Sequence, residues 1–388
     1  MIYRSPPLEG ADEAVIEKID ELRHALRYYV VAPRRWIGTL RRATVARAVQ
    51  GSNSIEGYHA SVEDVAAVLD DEEPLDASSE TRAAIAGYRD AMTYVLRLAS
   101  DPPAIDTSLL RALHFMMLKH DLPRNPGQWR PGAVWVEDGD GEVVYQAPDR
   151  DLIDGLVTET LDQVAADTGP VLVRAAMAHL NLALVHPFSD GNGRMARCVQ
   201  TLVLASDGVV TPEFSSIEEH LGHNTPAYYG VLTEVAQGSW SPERSARPWV
   251  RFCLAAHYRQ AQTVLRRVRE TEALWDACEQ LTRRHRLPPR TVDALCDAAR
   301  GRRLRRSLYL SLTVAGSGEP ITEATATRDL RALVAAGLLD PQGEKRGRLY
   351  GPTPELRQAW LDIRAQRPPR PTDDPYAEAG QRVLPGIG

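Results

Sequence analysis

A twelve-residue segment from His186 to Arg197, HPFSDGNGRMAR, combines residue types that suit chemistry on a chain of phosphates. Gly191 and Gly193 allow the backbone to turn tightly and to approach a ligand, so successive N–H groups can form a nest for an anion. A helix that begins here adds the positive end of its dipole. Arg194 and Arg197 are three residues apart, so both lie on one helix face and can reach the same polyphosphate.

Two further side chains of this segment could take part in the reaction itself. Asp190 is a candidate ligand for Mg²⁺, which prefers one or two carboxylates together with phosphate oxygens. His186 is the only neutral base in the segment, and an ordinary pKa of roughly 6.5 suits removal of a proton from an attacking hydroxyl. The segment therefore predicts a polyphosphate site with a metal ion and a general base.

Helices must position this segment, because apolar residues recur at helical spacing on both sides of it. The pattern predicts one helix over Val171–Val185 and another from Gly193 towards Leu204. A β-hairpin is expected over Ala133–Gln146, where AVWVE and EVVYQ flank the turn Asp138-Gly139-Asp140-Gly141. Further helices are predicted over three segments: Asp151 to Ala166, Thr225 to Ala236 and Pro248 to Glu270.

The segment resembles the signature of the Fic family, H-x-F-x-[DE]-G-N-G-R-x-x-R. All eight specified positions match, namely His186, Phe188, Asp190, Gly191, Asn192, Gly193, Arg194 and Arg197. This resemblance covers roughly residues 50 to 260 and implies transfer of AMP from Mg-ATP to a Ser, Thr or Tyr hydroxyl of a protein, with release of pyrophosphate. The kinase branch of the family has Lys in place of the second glycine, so Gly193 favours AMP transfer over phosphorylation.

The resemblance implies a role for each matched position. His186 would be the general base, Asp190 the magnesium ligand, and Phe188 an anchor for the loop. The residues that would contact ATP are Gly191, Asn192, Gly193, Arg194, Arg197 and Asn224. Asn224 falls where relatives contact the adenine and ribose, but Asn before a helix is also an ordinary N-cap, so both interpretations stand.

Residues 52–57, SNSIEG, allow two interpretations. The spacing of Asn53 and Glu56 is that of a capping box at the start of a helix. The family offers the pattern of an inhibitory helix, [ST]-x-x-x-E-[GN], which Ser52, Glu56 and the next glycine match. By resemblance, Glu56 would pair with Arg197 and occupy the space of the γ-phosphate. In some relatives the equivalent glutamate also supports removal of AMP.

The expected partner is a protein with an acceptor hydroxyl. The hairpin at Ala133–Gln146 resembles the flap of the family, which binds a target segment as an added strand, although a purely structural hairpin is the alternative. The resemblance also leaves room for self-modification and for a homodimer.

The C-terminal part differs in charge from the rest of the chain. Residues 281–350 carry 14 Arg and Lys against 7 Asp and Glu, in a chain of net charge −6. The pattern predicts a winged helix-turn-helix, with Thr322–Ala336 as the recognition helix and Lys345, Arg346 and Arg348 in the wing. DNA would then be a partner, and the alternative function is a DNA-binding regulator whose Fic domain senses nucleotide. Protein contacts or a solvated helix face would explain the charge equally well.

The chain of 388 residues is long enough for two or three domains. The expected fold class is mainly α: a Fic-type helical bundle with a β-hairpin flap, followed by the winged helix. No apolar run is long enough for a membrane helix and the N-terminus is acidic, so we expect a cytoplasmic protein. The expected divisions are a helical region at 1–110 with the inhibitory helix near 52–57, a catalytic core at 111–270, a winged-helix domain at 280–352 and a disordered tail at 366–388.

Overall fold

We obtained a computed structural model of the chain, which describes residues 1–31, 34–99, 101, 103–137, 141, 143–205, 208, 210–317, 320–344, 348–367 and 374–379. The first helices are α1 (Gly10–Val31), α2 (Ile37–Ile55), α3 (Val62–Leu69), α4 (Ser79–Leu98), α5 (Thr107–Leu118), α6 (Ile153–Ala166), α7 (Val171–Val185), α8 (Asn192–Ala205) and α9 (Pro212–Ser215). The remaining helices are α10 (Glu218–His223), α11 (Thr225–Ala236), α12 (Arg247–Arg284), α13 (Val292–Ala299), α14 (Arg306–Ser317), α15 (Glu323–Ala335), α16 (Pro354–Ala365) and α17 (Pro375–Ala379). The predicted mainly α fold is confirmed.

Several helices begin at a residue whose side chain caps the first turn. The side-chain oxygens of Ser61, Ser78, Asp106 and Thr322 each accept a hydrogen bond from the backbone N–H three residues later, at the starts of α3, α4, α5 and α15. Each bond satisfies one of the N–H groups that a helix start leaves unpaired. These polar residues therefore fix where the helices begin.

Helices α7 and α8 form the centre of the first hydrophobic core. Nearly every residue of both helices is buried, which explains why α7 is apolar on all its faces. Helices α2, α4, α5, α6 and α12 pack around them. The loop between α7 and α8 is therefore held at both ends by rigid, buried helices.

Helix α12 extends through two hydrophobic cores. Cys253 and Leu254 belong to the first core, whereas Val264, Leu274 and Cys278 belong to a second core with the C-terminal helices. The sequence pattern predicts a domain boundary between residues 270 and 280, but α12 continues as one helix to Arg284. The second core also includes apolar residues of α1 and α2, so the N-terminal helices join both parts.

Two short antiparallel hairpins interrupt the helices within the described part of the chain. Strands β1 (Trp135–Glu137) and β2 (Val143–Gln146) form the predicted hairpin, called the flap below; its turn at 138–140 lies outside the described residues. Strands β3 (Leu339–Gln342) and β4 (Leu349–Pro352) follow helix α15. Of the predicted wing residues, Lys345 and Arg346 lie outside the described residues, so the winged-helix interpretation stays a prediction.

Helices α2 and α10 approach so closely that two positions have no room for a side chain. A Cβ atom added to Gly51 would lie 2.5 Å from the carbonyl oxygen of Glu218, and one added to Gly222 would lie 2.5 Å from the Cα atom of Gly51. Both distances are well below van der Waals contact. Helix α2 is therefore fixed against α10 about one turn before its C-terminal end.

The segment predicted to be a disordered tail contains helix α17. This helix packs against α1, and the Tyr376 ring lies 5.2 Å from the guanidinium of Arg251. At these residues the chain departs from the expectation, because Tyr376 packs against the first core and α17 also contacts α12. None of the described helices has the length and apolar character that crossing a membrane requires.

Candidate active site

His186 lies where helix α7 ends. Its backbone has φ 52° and ψ 56°, in the left-handed region, and this conformation turns the chain out of the helix. The ring Nδ1 atom lies 3.3 Å from the carbonyl oxygen of Ala183. Because a carbonyl can only accept, Nδ1 carries the ring proton and the lone pair is on Nε2. Burial lowers the pKa of His186 below its ordinary value, so the ring is a neutral base at neutral pH.

Arg130, which is fully buried, ties this loop to the flap. Its Nε atom donates to the carbonyl oxygen of His186 at 2.9 Å, and its backbone N–H donates to Pro187 at 2.9 Å. Its two terminal nitrogens donate to the carbonyl oxygens of Gly132 and Pro148, on either side of the flap. One guanidinium therefore fixes the candidate base and the hairpin relative to each other.

Asn192 fixes the middle of the loop. Its Oδ1 atom accepts from the N–H of Phe188 at 2.9 Å, and its Nδ2 atom donates to the carbonyl oxygen of Phe188 at 2.9 Å. The family pattern implies that Asn192 cradles phosphate, but both polar ends of this side chain are occupied within the loop. The side chain of Asn192 therefore shapes the loop instead of offering a free donor to a ligand.

His114 of helix α5 supports the same loop from below. Its Nδ1 atom accepts from the N–H of Gly127 at 2.8 Å, so Nε2 carries the proton and donates to the carbonyl oxygen of Asp190 at 2.9 Å. Its ring stacks on Phe188, with the ring centroids 3.6 Å apart. Burial lowers the pKa of His114 to about 4, so the neutral ring is the stable form.

Glycine is required at two positions of the loop for different physical reasons. Gly191 has φ 73°, which favours glycine. Gly193 lies within helix α8 with an ordinary helical backbone, which corrects the expectation that it serves the tight turn. A Cβ atom at Gly193 would lie 2.5 Å from the Oε1 atom of Glu56. The missing side chain at Gly193 therefore leaves space over the first turn of α8, and Glu56 occupies it.

Asp190 supplies the one carboxylate among residues 186–197. Its Oδ1 atom accepts from the N–H of Gly191 at 2.7 Å, and its Oδ2 atom lies 4.0 Å from Nε of Arg124. No group of three or more metal-binding side chains occurs within the described residues. A magnesium ion held by Asp190 would need phosphate oxygens and water to complete its shell.

Arg194 is fully buried, yet its guanidinium lacks hydrogen bonds. Its Nε, Nη1 and Nη2 atoms have no partner among the described residues. The Tyr58 ring lies 5.2 Å from this group and provides a cation–π contact. A buried charge without hydrogen-bond partners is costly, which indicates that Arg194 is arranged to receive an anion.

Arg197, in contrast, is paired with the end of helix α2. Its Nε atom donates to Oγ of Ser52 at 2.8 Å, and its Nη2 atom donates to the carbonyl oxygen of Ser52 at 3.0 Å and to Oε1 of Glu56 at 2.7 Å. Burial opposes the charge, but Glu56 raises the pKa of Arg197 above its ordinary value. The structure thus brings together the three residues that the inhibitory pattern connects.

Residues 52–57 lie at the end of a helix, so the capping-box interpretation is wrong. Helix α2 ends at Ile55 and Gly57 has φ 85°, in the left-handed region. Gly57 donates to the carbonyl oxygen of Ser54, and Tyr58 donates to that of Asn53, which is the Schellman pattern of a helix C-terminus. Glycine after Glu56 therefore decides the direction in which the chain leaves the site.

Asn224 separates helices α10 and α11. Its Nδ2 atom donates to the carbonyl oxygen of His220 at 2.7 Å, and its side chain makes no capping bond to α11. Tyr228 is buried and its hydroxyl donates to Nε2 of His179 at 2.9 Å, so it belongs to the core. Tyr229 is half exposed and lies near the end of α2, where its hydroxyl is 3.4 Å from the carbonyl oxygen of Ile55.

The loop lies in a part of the chain that matches a known family. The Fic/DOC family matches residues 104–204, a range that includes the flap, helix α7 and the whole loop from His186 to Arg197. Residues 104–204 are therefore similar to a Fic/DOC domain. Ser52 and Glu56 lie outside this range and reach the Fic domain from helix α2.

Proteins named protein adenylyltransferase Fic resemble this chain over most of its length. Those of Nematostella vectensis, Aedes aegypti and Drosophila melanogaster are 23%, 26% and 28% identical to it over 252, 247 and 254 residues. These alignments cover 64%, 63% and 63% of this chain, and 55%, 46% and 47% of the relatives. The chain thus spans about half the length of these relatives.

Solved structures share the fold. A Fic family protein from Desulfovibrio desulfuricans G20 has a TM-score of 0.58 and 22% identity, and the match covers 91% of this chain and 99% of that one. Fic-1 from C. elegans has a TM-score of 0.51 and 20% identity, with coverage of 65% and 72%. The Fic-type fold therefore includes helices well outside residues 104–204.

Three residues of the site have no role in the sequence analysis. His114 and Arg130 hold the loop, and Tyr58 contacts Arg194. His114 follows Leu113 on the buried face of α5. A polar residue at a position that the helical pattern makes apolar could have indicated its role. Arg130 belongs to Gly127-Gln128-Trp129-Arg130, which resembles a landmark of the family, but its contact with the loop could not be predicted, and Tyr58 carried no signal of its own.

Proposed function

We propose that the chain is an autoinhibited protein adenylyltransferase, which transfers AMP from Mg-ATP to a Ser, Thr or Tyr hydroxyl of a protein. The observation that carries this proposal is the buried guanidinium of Arg194, which lacks hydrogen bonds beside the first turn of α8. A phosphate chain would supply the missing acceptors, since arginine binds phosphate with two parallel bonds. The names of the relatives support AMP as the transferred group.

His186 would remove the proton from the acceptor. The hydroxyl oxygen forms a bond to the α-phosphorus of ATP while its proton moves to Nε2 of His186. The bond between the α-phosphorus and the oxygen bridging to the β-phosphate breaks, and pyrophosphate leaves with the electron pair. The tautomer fixed by Ala183 supports this role, because it directs the lone pair to Nε2.

Asp190 would hold magnesium, and the helix start would hold phosphate. Bound magnesium would neutralise charge on the phosphates. The Gly191 N–H is directed to Oδ1 of Asp190, which leaves the first turn of α8, Arg194 and the released Arg197 as the groups that face the phosphate chain. Asn224 and the half-exposed Tyr229 are our candidates for the adenosine end.

The flap would present the acceptor segment. Strand β1 pairs with β2 on one edge, and within the described residues no strand pairs with its other edge. Arg130 holds the flap beside His186. An extended segment of a target protein, or of the chain itself, could add to that edge and bring its hydroxyl to the base.

Glu56 would inhibit the enzyme by occupying the place of a phosphate. Its carboxylate lies over Gly193 and holds Arg197, which ATP needs for the γ-phosphate. Two anions cannot share one guanidinium and one helix start without strong repulsion. ATP would therefore bind without a reactive arrangement until Glu56 moves away.

Incorporation of α-labelled ATP with Mg²⁺ tests the proposal. We expect label on the Glu56→Gly chain, little on the wild-type chain, and none on Glu56→Gly/His186→Ala. Glu21→Gln, which removes an exposed carboxylate of α1, is the matched control and should behave as wild type. Binding of ATP without any label on Glu56→Gly would favour the nucleotide-sensing regulator instead, and label on the double variant would exclude His186 as the base.

A further inference from the structure

A second, strongly basic cavity lies between the Fic core and the C-terminal helices. It has a volume of 380 Å³ and is lined by nine arginines and three carboxylates. We call it the arginine pocket, and its arginines include Arg47 of α2, Arg267 of α12, Arg300 after α13 and Arg364 of α16. None of these residues belongs to the loop between α7 and α8.

The carboxylates of the arginine pocket satisfy only part of its positive charge. Glu219 accepts two hydrogen bonds from Arg267, both at 2.5 Å. Burial alone would raise the pKa of Glu219, but this ion pair lowers it to about 2. Asp297 lies 3.2 Å from Arg302 and 3.6 Å from Arg42. The third carboxylate is that of Glu63, an exposed residue of α3.

Four arginines of the arginine pocket are left without an ion pair among the described residues: Arg47, Arg300, Arg357 and Arg364. The Nε atom of Arg47 and the Nη1 atom of Arg300 are buried and lack a hydrogen-bond partner. Burial and the nearby charge of Arg267 lower the pKa of Arg47 to about 10. The positive charges of Arg267 and Arg300 both disfavour the charged form of Arg47, and such repulsion is unfavourable unless an anion joins the groups.

The size and lining of the arginine pocket indicate a small anion. Its volume lies in the range of small-molecule sites, and a concave cavity between two cores is too confined for a nucleic-acid duplex. Among the described lining residues Trp360 is the one with a large aromatic ring, and the guanidinium groups of Arg300 and Arg367 already lie 5.5 and 5.8 Å from it. Recognition therefore depends on phosphate groups and not on stacking of a base.

We propose that the arginine pocket is a binding site for a small anion with two or more linked phosphates, separate from the Fic loop. Arginine suits this ligand because its planar fork binds phosphate oxygens in pairs. The ligand would connect Arg47 of α2 with Arg364 of α16, and thus the Fic core with the C-terminal helices. Inorganic oligophosphate and the phosphate chain of a nucleotide share this chemistry.

Calorimetric titration of the full chain with sodium tripolyphosphate tests the proposal. We expect binding to the wild-type chain and at least a tenfold increase in Kd for Arg47→Gln/Arg364→Gln. The control Arg27→Gln/Arg283→Gln removes two charges from other surfaces and should leave the Kd unchanged. Because Arg47 is partly buried, the exposed Arg364→Glu is measured alone, and its weaker binding would support the site even if the double variant does not fold.

A parallel titration with GTP distinguishes the two sources of the phosphates. If the wild-type chain binds GTP and tripolyphosphate with similar affinity, and substitution weakens both equally, the site recognises phosphate alone. If the wild-type chain binds GTP more tightly and substitution weakens both ligands equally, the ligand is a nucleotide. Equal binding by wild-type and substituted chains would overturn the proposal, as would binding of duplex DNA but not tripolyphosphate through Arg364. Neither titration requires AMP transfer, so this proposal and the proposed activity fail independently.

Discussion

The Nη2 atom of Arg197 lies 2.7 Å from the Oε1 atom of Glu56, although 141 residues separate them in the chain. Arg197 is on the helix that the Fic loop begins, whereas Glu56 is at the end of a helix outside the matched family range. A neighbouring arginine, Arg194, has no such partner within the described residues. Arg197 is thus paired with a carboxylate whereas Arg194 is not. Substitutions of the two arginines should therefore have different effects.

Ser52→Ala should release part of the inhibition. The substitution removes the Oγ atom that accepts from Nε of Arg197 at 2.8 Å, but it leaves the bonds to the Ser52 carbonyl and to Glu56. A hydrogen bond to a charged group contributes about 1.5–3 kcal/mol. AMP incorporation should therefore fall between that of the wild-type chain and that of Glu56→Gly. Incorporation as high as in Glu56→Gly would mean that the carboxylate cannot inhibit without the Ser52 hydroxyl, which contradicts a partial role for Ser52.

Arg194→Met should stabilise the ligand-free chain and weaken ATP binding. Methionine fills similar volume and removes a buried charge that lacks hydrogen bonds, so the free energy of unfolding should rise by about 1 kcal/mol or more. In the Glu56→Gly background, the Kd for ATP should rise at least tenfold. Urea unfolding and calorimetry measure the two effects.

Arg197→Met is the matched comparison for Arg194→Met. It leaves Glu56 and Ser52 without their partner, so it should lower the free energy of unfolding by about 3 kcal/mol. If both variants lose stability equally, Arg194 has a structural partner and our assignment of the phosphate contact is wrong.

His114→Phe should loosen the catalytic loop while keeping the aromatic contact. Phenylalanine can still stack on Phe188, but it cannot bond to Gly127 or to the carbonyl oxygen of Asp190. We expect a loss of about 2 kcal/mol in the free energy of unfolding and slower AMP transfer in the Glu56→Gly background. His114→Gln retains polar atoms and should lose less activity. Equal rates for all three chains would show that His114 does not position the loop.

Acid should destabilise the fold through three buried histidines. Burial lowers the pKa of His114 to about 4 and those of His179 and His257 to about 3. Between these values and the unfolded pKa of about 6.5 the unfolded chain binds more protons, so stability is full above pH 6.5 and falls with pH below it. Each histidine contributes up to about 1.4 kcal/mol per pH unit. Urea unfolding at pH 7.5 and pH 5.5 measures the change, and equal stabilities would contradict it.

The acid limb of AMP transfer should lie below the ordinary pKa of histidine. His186 must be neutral to accept a proton, and burial lowers its pKa, so Glu56→Gly should keep its activity at pH 6.5 and lose it only at lower pH. A pH profile of initial rates, limited to conditions where circular dichroism shows a folded chain, measures this limb. A limb above pH 6.5 would exclude a neutral, buried His186 as the base.

Sequence patterns predicted the helices around the loop well, because local spacing determines them. The predicted Val171–Val185 helix matches α7, and the hairpin at Ala133–Gln146 contains β1 and β2. The direction of residues 52–57 could not be read, since Asn53 and Glu56 fit a helix start as well as a helix end. Gly57 in the left-handed region resolves this only in the folded chain.

Local sequence patterns could not predict contacts between residues that are far apart in the chain. The continuation of α12 through both cores depends on Val264 and Leu274 packing against the C-terminal helices. The arginine pocket collects residues from Arg47 to Arg364, and the sequence showed only an excess of positive charge in the C-terminal part. Charge counts along the chain cannot show which arginines meet in one cavity.

The glycine contact between α2 and α10 limits how the proposed inhibition by Glu56 could be released. Because Gly51 and Gly222 touch through their backbones, α2 cannot slide or rotate as a whole without breaking that contact. The last turn of α2 is also buried at Ser52 and Asn53, whereas Glu56 follows the helix with a side chain that is 19% exposed, so its carboxylate could swing aside on its own. Activation would then be a movement of one side chain at a helix end, which is faster and costs less free energy than a rearrangement of whole helices.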